Sequence, residues 1–176
     1  MLSKRTLTLS VAVIALALGG CQVRPLYSDA SPSPSGISTP VALKSISVNE
    51  VDSRYAQEVR NQLIFLLNGG AGEPASPQYK LDLGVTTQTI STAAVAVDAT
   101  SVGQPTAGGV VLTSLYVLTN ATNGEIVTTG KRSVTASFDR PAQQFASLRA
   151  QRDAENRAAR ELAELVRLAL AADLSK

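Results

Sequence analysis

The chain has 176 residues, of which 44% are hydrophobic but only 4% aromatic, with no Trp, no His and a single cysteine, Cys21. Without histidine there is no imidazole general base, no Ser-His-Asp or Cys-His triad and no His/Cys zinc site, and one cysteine excludes an internal disulfide. The formal charge of +2 equals the contribution of Lys4 and Arg5 in the first six residues. The remainder is neutral, and with four Tyr and three Phe it lacks the basic excess and stacking platforms of a general nucleic-acid binder.

Met1 to Thr6 form a short positive segment, followed by the weakly polar to apolar run Leu7 to Leu18. A bilayer of about 30 Å needs roughly 20 residues of helix, so this run is too short to span it and fits a secretory leader. The run ends in Leu18-Gly19-Gly20-Cys21, which resembles the lipobox of bacterial lipoproteins. That resemblance implies cleavage before Cys21, diacylation of its thiol and acylation of the new amino terminus. Two or three acyl chains anchor a protein stably where one does not. The alternative is an uncleaved amino-terminal helix with a buried cysteine. Residue 22 is Gln, not the Asp of the inner-membrane retention signal in enteric lipoproteins, which favours the outer membrane. The expectation is a leader over 1–20, an acylated and flexible tether over 21–40, and one domain over 41–176.

Residues 28–40 are dense in Ser, Pro and Gly and read as a tether that buries too little apolar surface to order itself. Val41 to Val51 places apolar residues at Leu43, Ile46 and Val48 and is expected as a strand. Asp52 or Ser53 then caps a helix whose apolar face is Tyr55, Val59, Leu63, Leu66 and Leu67, stopped by Gly69 and Gly70. Glu73 to Pro77 is a turn-rich loop. Tyr79, Leu81, Leu83 and Val85 alternate with Lys80, Asp82, Gly84 and Thr86, the pattern of a strand with one buried face. The alternation fades over Ser91 to Asp98, and Ala99 to Gly109 reads as a loop or hairpin tip. Val110 to Ala121 and Glu125 to Phe138 are strands around Thr122-Asn123-Gly124, a hairpin signal because Asn and Gly both tolerate positive φ. The last element is a helix with the stripe Ala154, Ala158, Leu162, Leu165 and Ala169, widened by Val166 and Leu170, with charges over most of the rest. The order strand, helix, three strands, helix predicts an α+β fold: a four-stranded, mostly antiparallel sheet with two helices on one face.

The two Gly-rich stretches, 68–72 and 103–109, are not followed by Lys-Ser/Thr and do not form a phosphate loop. Asn120-Ala121-Thr122 matches a glycosylation sequon but reads as a turn. No carboxylate pair stands out for acid/base chemistry, and no metal or cofactor is expected. The strands are rich in hydroxyls: Thr86, Thr87, Thr89, Ser91 and Thr92, then Thr113, Ser114 and Thr119, then Thr128, Thr129, Ser133, Thr135 and Ser137. Such residues suit a solvent-facing β surface; the sharper reading is a neutral hydrogen-bonding surface fitted to a polar surrounding such as a barrel lumen. Lys80, Lys131 and Arg132 are either scattered solvated charges or a small cationic site for a phosphorylated ligand.

Cys21-Gln22-Val23-Arg24-Pro25-Leu26-Tyr27 resembles the Cys-Gly-Phe-Arg-Pro-Leu-Tyr opening of the lipopolysaccharide-assembly lipoproteins of the LptE family. The segment Phe145-Ala146-Ser147-Leu148-Arg149-Ala150-Gln151-Arg152-Asp153-Ala154-Glu155-Asn156-Arg157-Ala158-Ala159 is similar to that family's closing helix, and the element order is also the family's. The resemblance implies a non-enzymatic protein seated in the lumen of the LptD β-barrel of the outer membrane, assisting its assembly and the insertion of lipopolysaccharide into the outer leaflet. Lys80, Lys131 and Arg132 are candidate lipopolysaccharide contacts by charge and strand placement alone. Two other readings stand beside it: a lipoprotein serving as accessory binding subunit of another envelope transport complex, docking through an exposed sheet edge, and an envelope hydrolase, which needs clustered catalytic groups in a pocket.

Overall fold

The computed structural model describes residues 38–94 and 105–175. Cys21 with its leader, the opening at 22–27, the tether up to residue 37, and residues 95–104, which include 99–104 of the expected loop, lie outside the described residues. Among the described residues seven elements follow in chain order: α1 (Thr39–Lys44), β1 (Ile46–Val48), α2 (Arg54–Asn68), β2 (Tyr79–Ala94), β3 (Pro105–Asn120), β4 (Ile126–Asp139) and α3 (Gln144–Leu174). The strands lie side by side in sequence order, β1 parallel to β2 and the other neighbours antiparallel. The fold is therefore α+β with the expected β-α-β-β-β-α core. The sheet is mixed, because α2 carries the chain back across it between β1 and β2, and α1 precedes that core.

The expected strand over Val41 to Val51 is half helix. Pro40 stands in the first turn of α1, where its fixed φ suits a helix and its missing N–H is not needed. The Val41 and Ala42 amides donate to the Ser38 carbonyl, each at 3.0 Å, and the Ser45 hydroxyl closes the turn on the Ala42 carbonyl at 2.7 Å. Ala42 and Leu43 are buried by this turn, and only Ile46 and Val48 are buried from the strand. The spacing of three from Leu43 to Ile46 fits a helix as well as a strand's drift.

The α2 helix begins where the sequence places it. Ser53 is the cap, its hydroxyl accepting from the Ala56 amide at 3.3 Å. Ala56, Val59, Leu63 and Leu67 are buried, Tyr55 and Leu66 pack at the margin, and Gly69 ends the helix in the left-handed conformation at φ 60°. The next strand keeps its alternation: Tyr79, Leu81, Leu83 and Val85 turn to the helices, and Lys80, Asp82 and Thr86 turn away. At the following hairpin only Gly124 has positive φ, 72°. Asn123 instead accepts the Glu125 amide through its side chain at 3.1 Å, and the connection, Ala121 to Glu125, is five residues, longer than a two-residue Asn-Gly turn.

Gly108 and Gly109, expected in a loop, belong to β3 opposite Ser91 and Ile90. On β3's other side Gly108 is paired with Phe138, and further along Gly130 of β4 is paired with Tyr116 of β3. A Cβ on Gly108 would lie 2.7 Å from the Phe138 ring, and one on Gly130 would lie 2.3 Å from the Tyr116 hydroxyl oxygen. Each buried ring thus lies across a glycine on the neighbouring strand, filling the space a side chain would take. These glycines are structural parts of the sheet.

The α3 helix has 31 residues, about 46 Å at 1.5 Å per residue. Its buried residues include the expected Ala154, Ala158, Leu162, Val166, Ala169 and Leu170, together with Ala159, Ala163 and Ala171; Leu165 is only partly buried. The contact face is broader than one stripe because α3 packs on α2 as well as on β3 and β4. Alanine on both flanks lets the axes approach closely.

The two sheet edges are finished differently. At β1, the Glu73 carboxylate accepts the outward Val48 amide at 3.0 Å. The Arg60 guanidinium donates to the Val48 and Asn49 carbonyls and to Glu73, at 3.1 to 3.2 Å. That clamp seals the β1 edge. At the other margin, β4 is the last strand and has no described strand beside it.

Candidate functional site

With α2 and α3 on one face, the opposite face of β2, β3 and β4 is left uncovered by any described element. Reading across the register, it carries Lys80, Asp82, Thr86 and Gln88 from β2, Val111, Thr113, Leu115, Val117 and Thr119 from β3, and Thr129, Lys131, Ser133, Thr135 and Ser137 from β4. Hydroxyls dominate this surface and bond within the sheet. Thr113 and Ser133 face each other with their oxygens 3.0 Å apart. The Ser133 hydroxyl also reaches the Leu112 carbonyl at 3.2 Å, and Thr119 donates to the Lys80 carbonyl at 3.3 Å. Leu115 stands out among them at 57% exposure. Other hydroxyls of the same run, Thr87, Thr89, Ser114 and Thr128, fall on the helix-bearing face, where Ser114 is fully buried.

The three candidate cations are not brought into one site. Lys80 and Lys131 share the open face, but Lys80 is opposite Thr119 while Lys131 is opposite Leu115. That offset of four residues and two strands separates their backbones by roughly 16 Å at ordinary strand spacings. Asp82 and Val117 lie between them, and Asp82 accepts a hydrogen bond from the Asn49 side-chain amide. Arg132 is opposite Ser114 on the helix-bearing face and donates to the Lys131 carbonyl at 2.8 Å. The arrangement offers separate points of charge and no enclosed anion pocket. The residue expected to carry the anchor, Cys21, lies outside the described residues.

A groove of about 420 Å³ lies along the first turns of α3, lined by Phe145, Leu148, Arg149, Arg152, Asp153 and Asn156. The Arg149 guanidinium sits 5.2 Å from the centre of the Phe145 ring, a cation–π distance. Nothing in this groove pairs a nucleophile with a base. Among the described residues no three acidic or cysteine groups could hold a metal ion together, and no helix is long and apolar enough to cross a membrane.

Sequence reasoning missed two features. Glu73 reads as one polar residue of a turn, yet it seals β1. The exposed β4 edge is invisible because neighbour order is a tertiary property. A weak signal exists for the second, since Gly130-Lys131-Arg132 interrupts an otherwise β-rich run.

The fold has known counterparts. A Caulobacter crescentus protein assigned as a lipoprotein is 26% identical, with a TM-score of 0.62 over 77% of this chain and 95% of that one. The minor lipoprotein of Acinetobacter baumannii (14% identity, TM-score 0.55, 73% and 90% covered) and the rare lipoprotein B of Shewanella oneidensis (11%, 0.51, 72% and 92%) share the fold. No curated protein sequence matches the chain. The model of the LptE lipopolysaccharide-assembly family matches residues 43–170, from the end of α1 almost to the end of α3. The chain belongs to the LptE family of lipopolysaccharide-assembly proteins.

Proposed function

We propose that this protein is a non-enzymatic outer-membrane lipoprotein, anchored by acyl chains on Cys21, that occupies the lumen of an LptD-type β-barrel and assists its assembly and the passage of lipopolysaccharide to the outer leaflet. The observation that carries this reading is the uncovered sheet face. It is three strands wide, near neutral, and studded with hydroxyls that bond along the sheet. A barrel lumen is polar and hydrated, and a neutral, hydroxyl-rich surface seats there without burying unpaired charge. Lys80 and Lys131, spaced along this face, are the proposed contacts for lipopolysaccharide phosphates, with Arg132 at the margin. The leader over 1–20 and a tether from residue 21 to the start of α1 complete the proposed layout.

The test is an affinity pull-down of the tagged full-length protein from detergent-solubilised outer membranes, with mass spectrometry of what accompanies it. Recovery of a stoichiometric large β-barrel supports the reading. Recovery of the protein alone, or with a soluble transport component, replaces it with an accessory role in another envelope complex. For the anchor, Cys21→Ser is expected to accumulate as an unprocessed precursor; normal outer-membrane fractionation of that variant refutes the lipoprotein assignment.

A further inference from the structure

We infer that the free edge of β4 is a docking site for one extended strand of a partner polypeptide with neutral or acidic side chains. The inference stands on the edge geometry and does not depend on which envelope complex the protein serves.

The direction of the backbone groups is fixed by their partners. Arg157 of α3 donates to the Ser137 carbonyl at 2.8 Å, and α3 lies outside the β3–β4 ladder. Arg132 donates to the Lys131 carbonyl. Both positions are odd-numbered, and strand groups alternate in direction with a period of two, so Thr129, Lys131, Ser133, Thr135 and Ser137 turn their amides and carbonyls away from β3. Ser133 and Thr135 are exposed and lie between the two covered carbonyls. Such a row is a template for strand addition.

The opposite margin, at β1, is closed by a dedicated carboxylate and guanidinium on its outward amide and carbonyl. On β4 the far end is covered by Arg157, and the covering of Lys131 is its own neighbour's exposed side chain, which swings aside without disturbing the core. The stretch that no described element covers is flanked by Lys131 and Arg132 on one side and, on the other, by Arg157, which is already paired with Asp153 at 2.9 Å. Carboxylates of an incoming strand therefore meet the Lys131 and Arg132 cations at the first end. The same cations discriminate against a second copy of β4, which would bring its own Lys131 and Arg132 to the contact.

The test uses the full-length chain in detergent micelles and the probe acetyl-Val-Glu-Val-Thr-Val-Glu-amide, followed by residue-resolved amide exchange and chemical shifts. Without peptide, the amides of Ser133 and Thr135 are expected to exchange much faster than those of Val134 and Ala136. With peptide, the odd-numbered amides gain protection and the shifts are confined to β4 and its neighbours. A peptide N-methylated at alternate residues, which loses its row of donors, is expected to bind at least about tenfold more weakly, as is the analogue with Lys in place of Glu. Ser133→Pro removes one outward amide at an edge, where proline is tolerated, and is expected to weaken binding similarly while melting near the parent. If that variant does not fold, the N-methylated peptide still decides. Equal binding of the N-methylated peptide, or shifts centred away from β4, overturns the inference. A concentration-dependent dimer in sedimentation that Ser133→Pro dissociates also overturns it, since the occupant is then a second copy.

Discussion

Substituting Gly130 by Ala tests the packing of the sheet, because its effect is opposite in sign to that of the same substitution at Gly84. At Gly130 the new Cβ would lie 2.3 Å and 2.4 Å from the Oη and Cζ atoms of Tyr116, and Tyr116 is only 2% exposed beneath the helices. The ring has nowhere to go without moving its neighbours, an overpacking penalty of about 1–3 kcal/mol. Against this, replacing a strand glycine recovers about 0.5–1 kcal/mol of backbone entropy. The net loss is on the order of 1–2 kcal/mol. At Gly84 the nearest atoms are the carbonyl oxygen of Leu115 at 3.8 Å and its Cβ at 4.0 Å, ordinary contacts, so Gly84→Ala keeps the entropy gain and stabilises by about 0.5 kcal/mol. Urea unfolding of the full-length chain in micelles, followed by far-UV circular dichroism, separates the two through their midpoints at constant slope. A Gly130→Ala variant as stable as the parent refutes the ring-over-glycine packing. Adding Tyr116→Leu to Gly130→Ala is expected to restore part of the loss in a double-mutant cycle, because the two changes meet at one contact.

Leu162 is fully buried in α3, so Leu162→Asp is expected to lower stability by several kcal/mol and to abolish cooperative unfolding; a parent-like melt would show that the helix register is wrong. Removing the β1 clamp with Arg60→Ala breaks bonds to two carbonyls and to Glu73 and is expected to cost about 1–3 kcal/mol, with faster amide exchange at Val48 as its local signature. By contrast Arg157, half exposed and paired with Asp153 one turn away, contributes about 0.3–0.5 kcal/mol through that pair. Asp153→Asn is expected to leave the melt within that margin.

What the sequence made legible was local. The Ser53 cap, the α2 stripe, the alternation of β2 and the apolar face of α3 each follow from spacing within one element, and each holds. The misreadings arose where partners lie far away in sequence. Gly108 and Gly109 resemble loop residues until Phe138, thirty positions later, is laid over the first of them. Val41 to Lys44 resembles the start of a strand because its two buried residues, Ala42 and Leu43, are too few to set a helical period. The α3 stripe came out too narrow because α2, which buries its second flank, has no signature in the α3 sequence. Charge and strand placement single out the candidate cations, and the parity of β4 separates Lys131 from its neighbour Arg132, one on each face of the sheet.

The order of the chain also gives the domain a direction under load. The amino-terminal segment enters through α1 and β1, and β1 meets the sheet through only three paired residues, reinforced by the Arg60–Glu73 clamp. The hairpin strands β2, β3 and β4 are joined by registers four to five times as long. A pull on the amino-terminal segment therefore loads the smallest ladder of the described sheet first. The α1–β1 unit then yields first, as a mechanical fuse, while the three long strands and α3 keep their shape; in the proposed lipid-anchored arrangement this lengthens the leash to the membrane.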